Sequence, residues 1–208
     1  VADTYDFIKK DLMEARKVLP VVAKEAGRAT WGAATAYLAK ANLYTEDWDL
    51  AEQYAFEVID SGQYDLEDDF SDVWNVDNSN GKEAVFQIQY SNNSTFGQYG
   101  SYYTTIMGCR DDNGWSWGLP TSDLEKAYKD EGDDIRLKNT IMVHNQDVYG
   151  DPDALKYKIT PAKHKSARVC RKYYIPKAKR TLPYNQPRHP LNYHMMRFAD
   201  VLLIHAEA

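Results

Sequence analysis

Ala33-Ala34-Thr35-Ala36-Tyr37-Leu38-Ala39-Lys40-Ala41-Asn42-Leu43-Tyr44-Thr45-Glu46-Asp47-Trp48-Asp49-Leu50-Ala51-Glu52-Gln53-Tyr54-Ala55-Phe56-Glu57-Val58-Ile59-Asp60-Ser61-Gly62 decides the fold. Alanines at 33, 34, 36, 39 and 41 share the first half with Tyr37, Leu38 and Leu43. Small side chains at this density let a neighbouring helix approach the backbone closely. Thr45-Glu46-Asp47 makes a short turn. The second half carries Trp48, Ala51, Ala55, Val58 and Ile59 at helical steps and stops at Ser61-Gly62, where glycine takes a left-handed conformation without a Cβ penalty. The stretch predicts two helices folded back on each other.

Working outward, Tyr5, Ile8, Leu12, Ala15 and Leu19 recur at steps of three and four, with Thr4 as N-cap and Pro20 as stop, which predicts an amphipathic helix. At the other end, Met195 to Ala208 is apolar nearly all round, as suits a helix buried between others. The central pair resembles a tetratricopeptide unit in Leu38, Ala39, the turn, Trp48, Ala51 and Val58, while Thr35 and Asn42 stand at aromatic positions of that pattern. A single unit cannot cover its own apolar faces, so the flanking helices are expected to pack on it.

Beyond the pair the pattern changes. Phe86, Ile88 and Tyr90 alternate with Gln87 and Gln89, which predicts a half-buried strand. Ser91 to Gly118 then holds Asn92, Asn93, Tyr99, Tyr102, Tyr103, Trp115 and Trp117 among five glycines. Irregular stretches of this length are functional or disordered, and the aromatic density argues against disorder. Ser122 with Glu125 reads as a capping box for a short helix ended by Gly132. Residues 133–190 are rich in Pro, Tyr and charge, with extended pieces at Ile141-Met142-Val143 and Arg171 to Ile175. The expected fold is mainly α: tetratricopeptide-like helix pairs, an irregular loop-rich lobe and a few short strands. It is read as a single domain over 1–208, with helical scaffold over 1–62, a loop-rich ligand-binding lobe over 63–190, and a further scaffold helix starting in 191–208.

Composition narrows the function. Twenty-five basic against 31 acidic residues give a net charge of −6, which argues against nucleic acid as a partner. Basic residues gather in one stretch, Lys163, Lys165, Arg168, Arg171, Lys172, Lys177, Lys179 and Arg180, read either as an anion-binding face or as a solvated one. Two cysteines, Cys109 and Cys170, allow at most one bridge and no metal knuckle. No run approaches the ~20 apolar residues of a membrane span. The start has no signal pattern, and with no initiating Met and an uncapped end the chain reads as a piece of a longer protein.

The histidines, His144, His164, His189, His194 and His205, show no ligand spacing. Asp111-Asp112-Asn113-Gly114 lacks the spacing of a calcium loop. There is no nucleophile elbow, P-loop or Rossmann fingerprint. Hence no metal, no cofactor and no catalytic residue is expected, although a glycosidase carboxylate pair is defined in space and leaves no spacing to read.

What remains is recognition. Aromatic rings stack on the C–H faces of pyranoses, and planar polar side chains match sugar hydroxyls. Trp115-Ser116-Trp117 puts two indoles on one side if the segment is extended. Trp115, Trp117, Tyr99, Tyr102 and Tyr103 are the candidates for stacking, and Arg110 and Asn92 for hydroxyls, with Asp111, Asp112 and Asn113 as further polar neighbours. The alternative is that both indoles are core residues beneath the loop.

Six ordered blocks resemble the SusD/RagB family: Gly27-Arg28-Ala29-Thr30, Leu43 to Trp48, Val58 to Gly62, Glu83 to Tyr90, Gly114-Trp115-Ser116-Trp117-Gly118-Leu119-Pro120-Thr121, and Arg197 to Ala208. Phe198 and His205 stand where the family often has Tyr. The resemblance implies a surface-exposed lipoprotein of the outer membrane of Bacteroidetes. Such a protein binds an oligosaccharide or polysaccharide, starch-like among others, without catalysis and delivers it to a TonB-dependent, SusC-like transporter. The membrane would be met only through a lipid anchor upstream of Val1, where the family also has its first helices and some binding residues. Two other functions remain open: a helical-repeat adaptor for a peptide or protein partner, and a glycan-degrading enzyme.

Overall fold

A computed structural model of the chain describes residues 2–91, 100–145, 151, 154–180 and 189–208. Its helices are α1 (Ala2–Val18), α2 (Trp31–Tyr44), α3 (Trp48–Asp60), α4 (Tyr103–Ile106), α5 (Ser122–Asp130), α6 (Asp134–Thr140) and α7 (Phe198–Glu207). Its strands are β1 (Ala84–Ile88), β2 (Ile141–Met142), β3 (Val169–Cys170) and β4 (Tyr193–Arg197). The chain divides into two compact units, Val1–Asp68 with Ser79–Ile88 and Tyr193–Ala208, and Asp69–Asn78 with Gln89–Asn192.

The first unit is the helical one. Thr30 caps α2 by accepting the Ala33 N–H on its hydroxyl at 3.1 Å. At the other end, the N–H groups of Thr45 and Asp47 both reach Asn42 O, at 3.1 and 3.0 Å, and close the turn into α3. Ala36, Ala39, Ala55 and Val58 are completely enclosed, so the two helices meet almost backbone to backbone. Asn42 spends its amide on Leu38 O at 2.9 Å, which explains how a polar residue sits at an aromatic position of the repeat. Val201 and Ile204 of α7, with Met196 and Phe198, complete this core.

Helix α1 starts at Ala2, so Thr4 lies inside it and is not the cap; Pro20 follows its end as expected. None of its described residues is fully buried. It is tied down by Arg16, which pairs with Glu57 and lies over the rings of Trp31 and Tyr54, 5.6 and 5.0 Å from their centroids.

Two sequence expectations need correction here. Met195 and Met196 belong to a strand: β4 pairs antiparallel with β1, and the helix begins only at Phe198. Asp200 marks that start, accepting the Arg197 N–H at 2.8 Å. In β1 the faces are reversed, with Gln87 buried and Ile88 42% exposed. Burial alternates without interruption along the strand, with Glu83, Val85 and Gln87 on the buried face, so the buried side is set by Val85 and not by Phe86 and Ile88. Gln87 is satisfied inside, accepting the Asn80 N–H at 3.0 Å and lying 3.1 Å from His194 Nδ1.

The second unit has a small core of Cys109, Met142, Ala154, Tyr157, Ile159, Val169 and Tyr174, and polar bonds carry much of its cohesion. Asp112 and Arg180 pair at 2.7 Å with side chains only 7% and 5% exposed. Tyr174 donates its hydroxyl to Asp151 at 2.6 Å, and the Lys177 N–H reaches the same carboxylate at 3.1 Å. The basic stretch is part solvated and part committed: Lys163, Lys165, Lys177 and Lys179 are exposed, while most of its cations have partners within the fold. Lys163 pairs with Asp111, Arg168 with Glu125 and Lys179 with Asp77, Arg171 donates to Lys138 O, and Lys172 lies 4.6 Å over Trp74.

Helix α5 is capped by Thr121, whose hydroxyl accepts the Leu124 N–H at 3.1 Å, one residue before the expected Ser122; Glu125 binds Lys129 and Arg168 instead. Helix α6, which the sequence reading passed over, is capped by Asp133 through the Arg136 N–H. The extended piece expected at Arg171 to Ile175 is β3, two residues earlier. Among the described residues no helix is long and apolar enough to cross a membrane, and no group of three metal-binding side chains occurs.

Candidate functional site

The site is built on the single turn α4. Its carbonyls point at the returning chain: Thr105 O accepts the Trp115 N–H at 2.8 Å and Ile106 O accepts the Trp117 N–H at 2.8 Å. Between them, Gly108 O accepts both the N–H and the hydroxyl of Ser116, each at 3.0 Å. The Gly114 N–H closes the excursion on Cys109 O at 2.9 Å. A Cβ on Gly114 would lie 2.2 Å from the Gly108 carbonyl carbon, and one on Gly108 would lie 2.4 Å from Thr104 O. The two passes of chain touch backbone to backbone, so both positions require glycine.

Ser116 is left-handed at φ 55°, a conformation that costs a non-glycine residue about 1–3 kcal/mol. Its two bonds to Gly108 offset that cost. Indoles 115 and 117 thus share a side because of a left-handed residue between them, not because the segment is extended. Trp115 is 42% and Trp117 60% exposed, so neither is core. Their ring centroids are 5.3 Å apart with planes inclined by 55°. Tyr102, 42% exposed, stands 6.5 Å from Trp115 at 54°. Three large rings gathered in water are an unusual use of apolar area, which makes this patch the candidate site.

Tyr103 does not join this patch; it stacks on Tyr173 at 5.4 Å with planes 23° apart. Sequence reading missed Tyr173, which lies some distance along the chain in the stretch read as extended. Arg110 is exposed on a short turn, Arg110–Asp112. Asp111 and Asp112 are committed to Lys163 and Arg180 and hold the loop, not a ligand. Asn113 is exposed and left-handed at φ 58°. Tyr99 and Asn92 lie outside the described residues. A cleft lined by Thr104, Thr105, Asn113, Tyr173 and His189 shares Thr105 with the anchoring of Trp115.

Beneath the loop, the Arg110 N–H donates to His164 Nε2 at 3.2 Å, so that nitrogen carries no proton and accepts from the Cys109 thiol at 3.5 Å as well. Burial pushes the thiol up to about 11 and the imidazole below its ordinary value. A protonated thiol beside a neutral imidazole is a poor nucleophile; the pair is an anchor. Burial also raises Asp112, with Arg180 opposing. Cys109 and Cys170 are both free.

The SusD family profile matches residues 82–208. The SusD-like protein P2 of Formosa agariphila is 29% identical over 222 aligned positions, which cover 99% of this chain and 42% of that protein. Among solved structures, a laminarin-binding SusD-like protein superposes with a TM-score of 0.80 at 23% identity, over 99% of this chain and 50% of the other. A SusD-like carbohydrate-binding protein from Bacteroides fragilis gives 0.81 at 23%, over 99% and 45%. Surface glycan-binding protein A from Bacteroides thetaiotaomicron, in complex with laminarihexaose, gives 0.74 at 20%, over 98% and 49%. The chain spans about half the length of these relatives or less, and the structural likenesses carry the fold, including its tetratricopeptide-like helices.

Proposed function

The chain belongs to the SusD family, and from that premise we propose that it binds an oligosaccharide on Tyr102, Trp115 and Trp117 and releases it unchanged. The observation that carries this is the exposure of two neighbouring indoles on a loop whose Gly114, Trp115, Ser116 and Trp117 N–H groups are all bound to main-chain carbonyls. Ring-on-ring contacts contribute on the order of 0.5–1.5 kcal/mol beyond area burial; with ring-on-sugar contacts of that order, several faces must act together. Arg110 and Asn113 supply donors and acceptors for hydroxyls on the same loop.

The inclination of the indoles sets a preference. Sugar faces that cover planes 55° apart must themselves turn, as in a coiled or bent glucan; a flat β-1,4 ribbon offers no such turn. The laminarin and laminarihexaose named for two structural relatives are of the turning kind. Membership in the family supports a place on the outer-membrane surface as a lipoprotein, with delivery of the glycan to a TonB-dependent, SusC-like transporter.

Calorimetry and tryptophan fluorescence with α-1,4-, β-1,3- and β-1,4-gluco-oligosaccharides and xylogluco-oligosaccharides test the site. Heat and a fluorescence shift are expected with the turning glucans, both abolished in W115A and W117A. Silence across all classes would overturn the assignment. Loss of thermal stability in W115A with no loss of binding would point to the protein-binding adaptor, and release of shortened glycan would point to an enzyme.

A further inference from the structure

Resting on the ring patch as the glycan site, we propose that Ser116 is its positioning residue, the one that fixes the angle between Trp115 and Trp117 and so the shape of glycan accepted. In an extended segment, residues i and i+2 stand about 6.7 Å apart on one side and their rings are free to splay. Here the indole centroids are 5.3 Å apart. The segment is not extended, because Ser116 between them is left-handed at φ 55°, and the two planes meet at 55°.

That backbone is held from two directions. The N–H groups on either side of it are bound to consecutive carbonyls of α4, Thr105 O and Ile106 O. Ser116 itself, 6% exposed, directs both of its donors to Gly108 O. The indole roots are therefore fixed by their own amides, and the rotation from one to the other is set at Ser116. Serine combines a side chain small enough for the enclosed space with a hydroxyl that completes the Gly108 carbonyl. Glycine would keep the turn without the hydroxyl; a β-branched residue would be driven out of the left-handed region.

Two indoles this close and inclined couple their electronic transitions, so the angle can be read by circular dichroism near the strong indole band without any ligand. W117F assigns the couplet, since Trp31, Trp48 and Trp74 remain. The expected result is a couplet in the wild type, absent in W117F and S116V and largely kept in S116G. Affinity for the best-binding gluco-oligosaccharide should fall about tenfold in S116V, the order of losing one stacked face, and recover in S116G. If S116V does not fold, S116A against S116G asks the same question, since both lack the hydroxyl and only alanine resists positive φ.

An unchanged couplet in S116V and S116A overturns the proposal. So does a lost couplet with unchanged affinity, because the glycan would then not read the angle. Should no glycan bind the wild type while the couplet still follows residue 116, the glycan assignment falls and the geometric role of Ser116 stands.

Discussion

The two units of this chain are held by different physics. In the helical unit the enclosed residues are alanines and aliphatics, and the helices meet through Ala36, Ala39, Ala55 and Val58. In the loop-rich unit the core includes two tyrosines and a cysteine, and its rim is a web of ion pairs, with Asp112 and Arg180 almost sealed from water. Shape complementarity tolerates no change of volume, whereas paired charges tolerate no loss of a partner. A scaffold can be built the first way, but a loop that must expose its rings to water has few apolar side chains left for its own cohesion and relies on the second.

The sharpest way to break this contrast is Asp112→Ala, which removes the carboxylate from beside the nearly sealed Arg180. It should destabilise the loop-rich unit by about 3–5 kcal/mol and show as lost amide-exchange protection around 109–113 and 169–175, with α2 and α3 unaffected. Equal loss of protection in α2 would show that the units do not differ in this way.

Acid comes next. Burial, with Arg180 adding to it, pushes His189 down to about 4 from an ordinary value of 6.5. The unfolded chain therefore binds a proton that the folded chain refuses. Stability is complete above about pH 6.5 and is lost as pH falls toward 4, by roughly 3 kcal/mol in all. Asp112, raised by burial, works in the opposite sense, so the comparison with His189→Gln carries the test: the variant should show a flatter profile over that window in denaturant melts.

In the helical unit Ala55→Leu overpacks a site with no spare volume and should cost about 1–3 kcal/mol, visible as a lower midpoint without any new pH dependence. The smallest effect is expected at the patch itself. Trp117→Ala removes a ring that is 60% exposed, and its stability should stay within about 0.5 kcal/mol of the wild type. A drop of 2 kcal/mol or more, on the order of a lost core side chain, would return that indole to the interior.

The same contrast decides what could be read from the sequence. The α2–α3 pair was legible because its signals are local: alanine density, a three-residue turn, a glycine at 62. Strand β4 was not, because its partner lies far back along the chain, with Gln87 and His194 brought together across 107 positions, and Tyr193 to Arg197 carries no alternation of its own. The partners of the basic stretch were hidden for the same reason, since Lys163, Arg168, Lys172 and Lys179 find an anion or a ring in remote segments. At the patch, the residue types Trp115, Trp117 and Tyr102 were legible from composition. Their common side was expected from the wrong geometry, since serine gives no hint of a left-handed backbone, and the partner of Tyr103 could not be seen because Tyr173 has no local mark.

The crossing of Gly108 and Gly114 separates support from display. The N–H groups of Gly114, Trp115, Ser116 and Trp117 are all bound to main-chain carbonyls, so the backbone that carries the indoles is held without drawing on the rings. Other side chains could therefore be mounted at 115 and 117 on an unaltered mount, and the chemistry displayed there could change by two substitutions while the backbone beneath stays as it is.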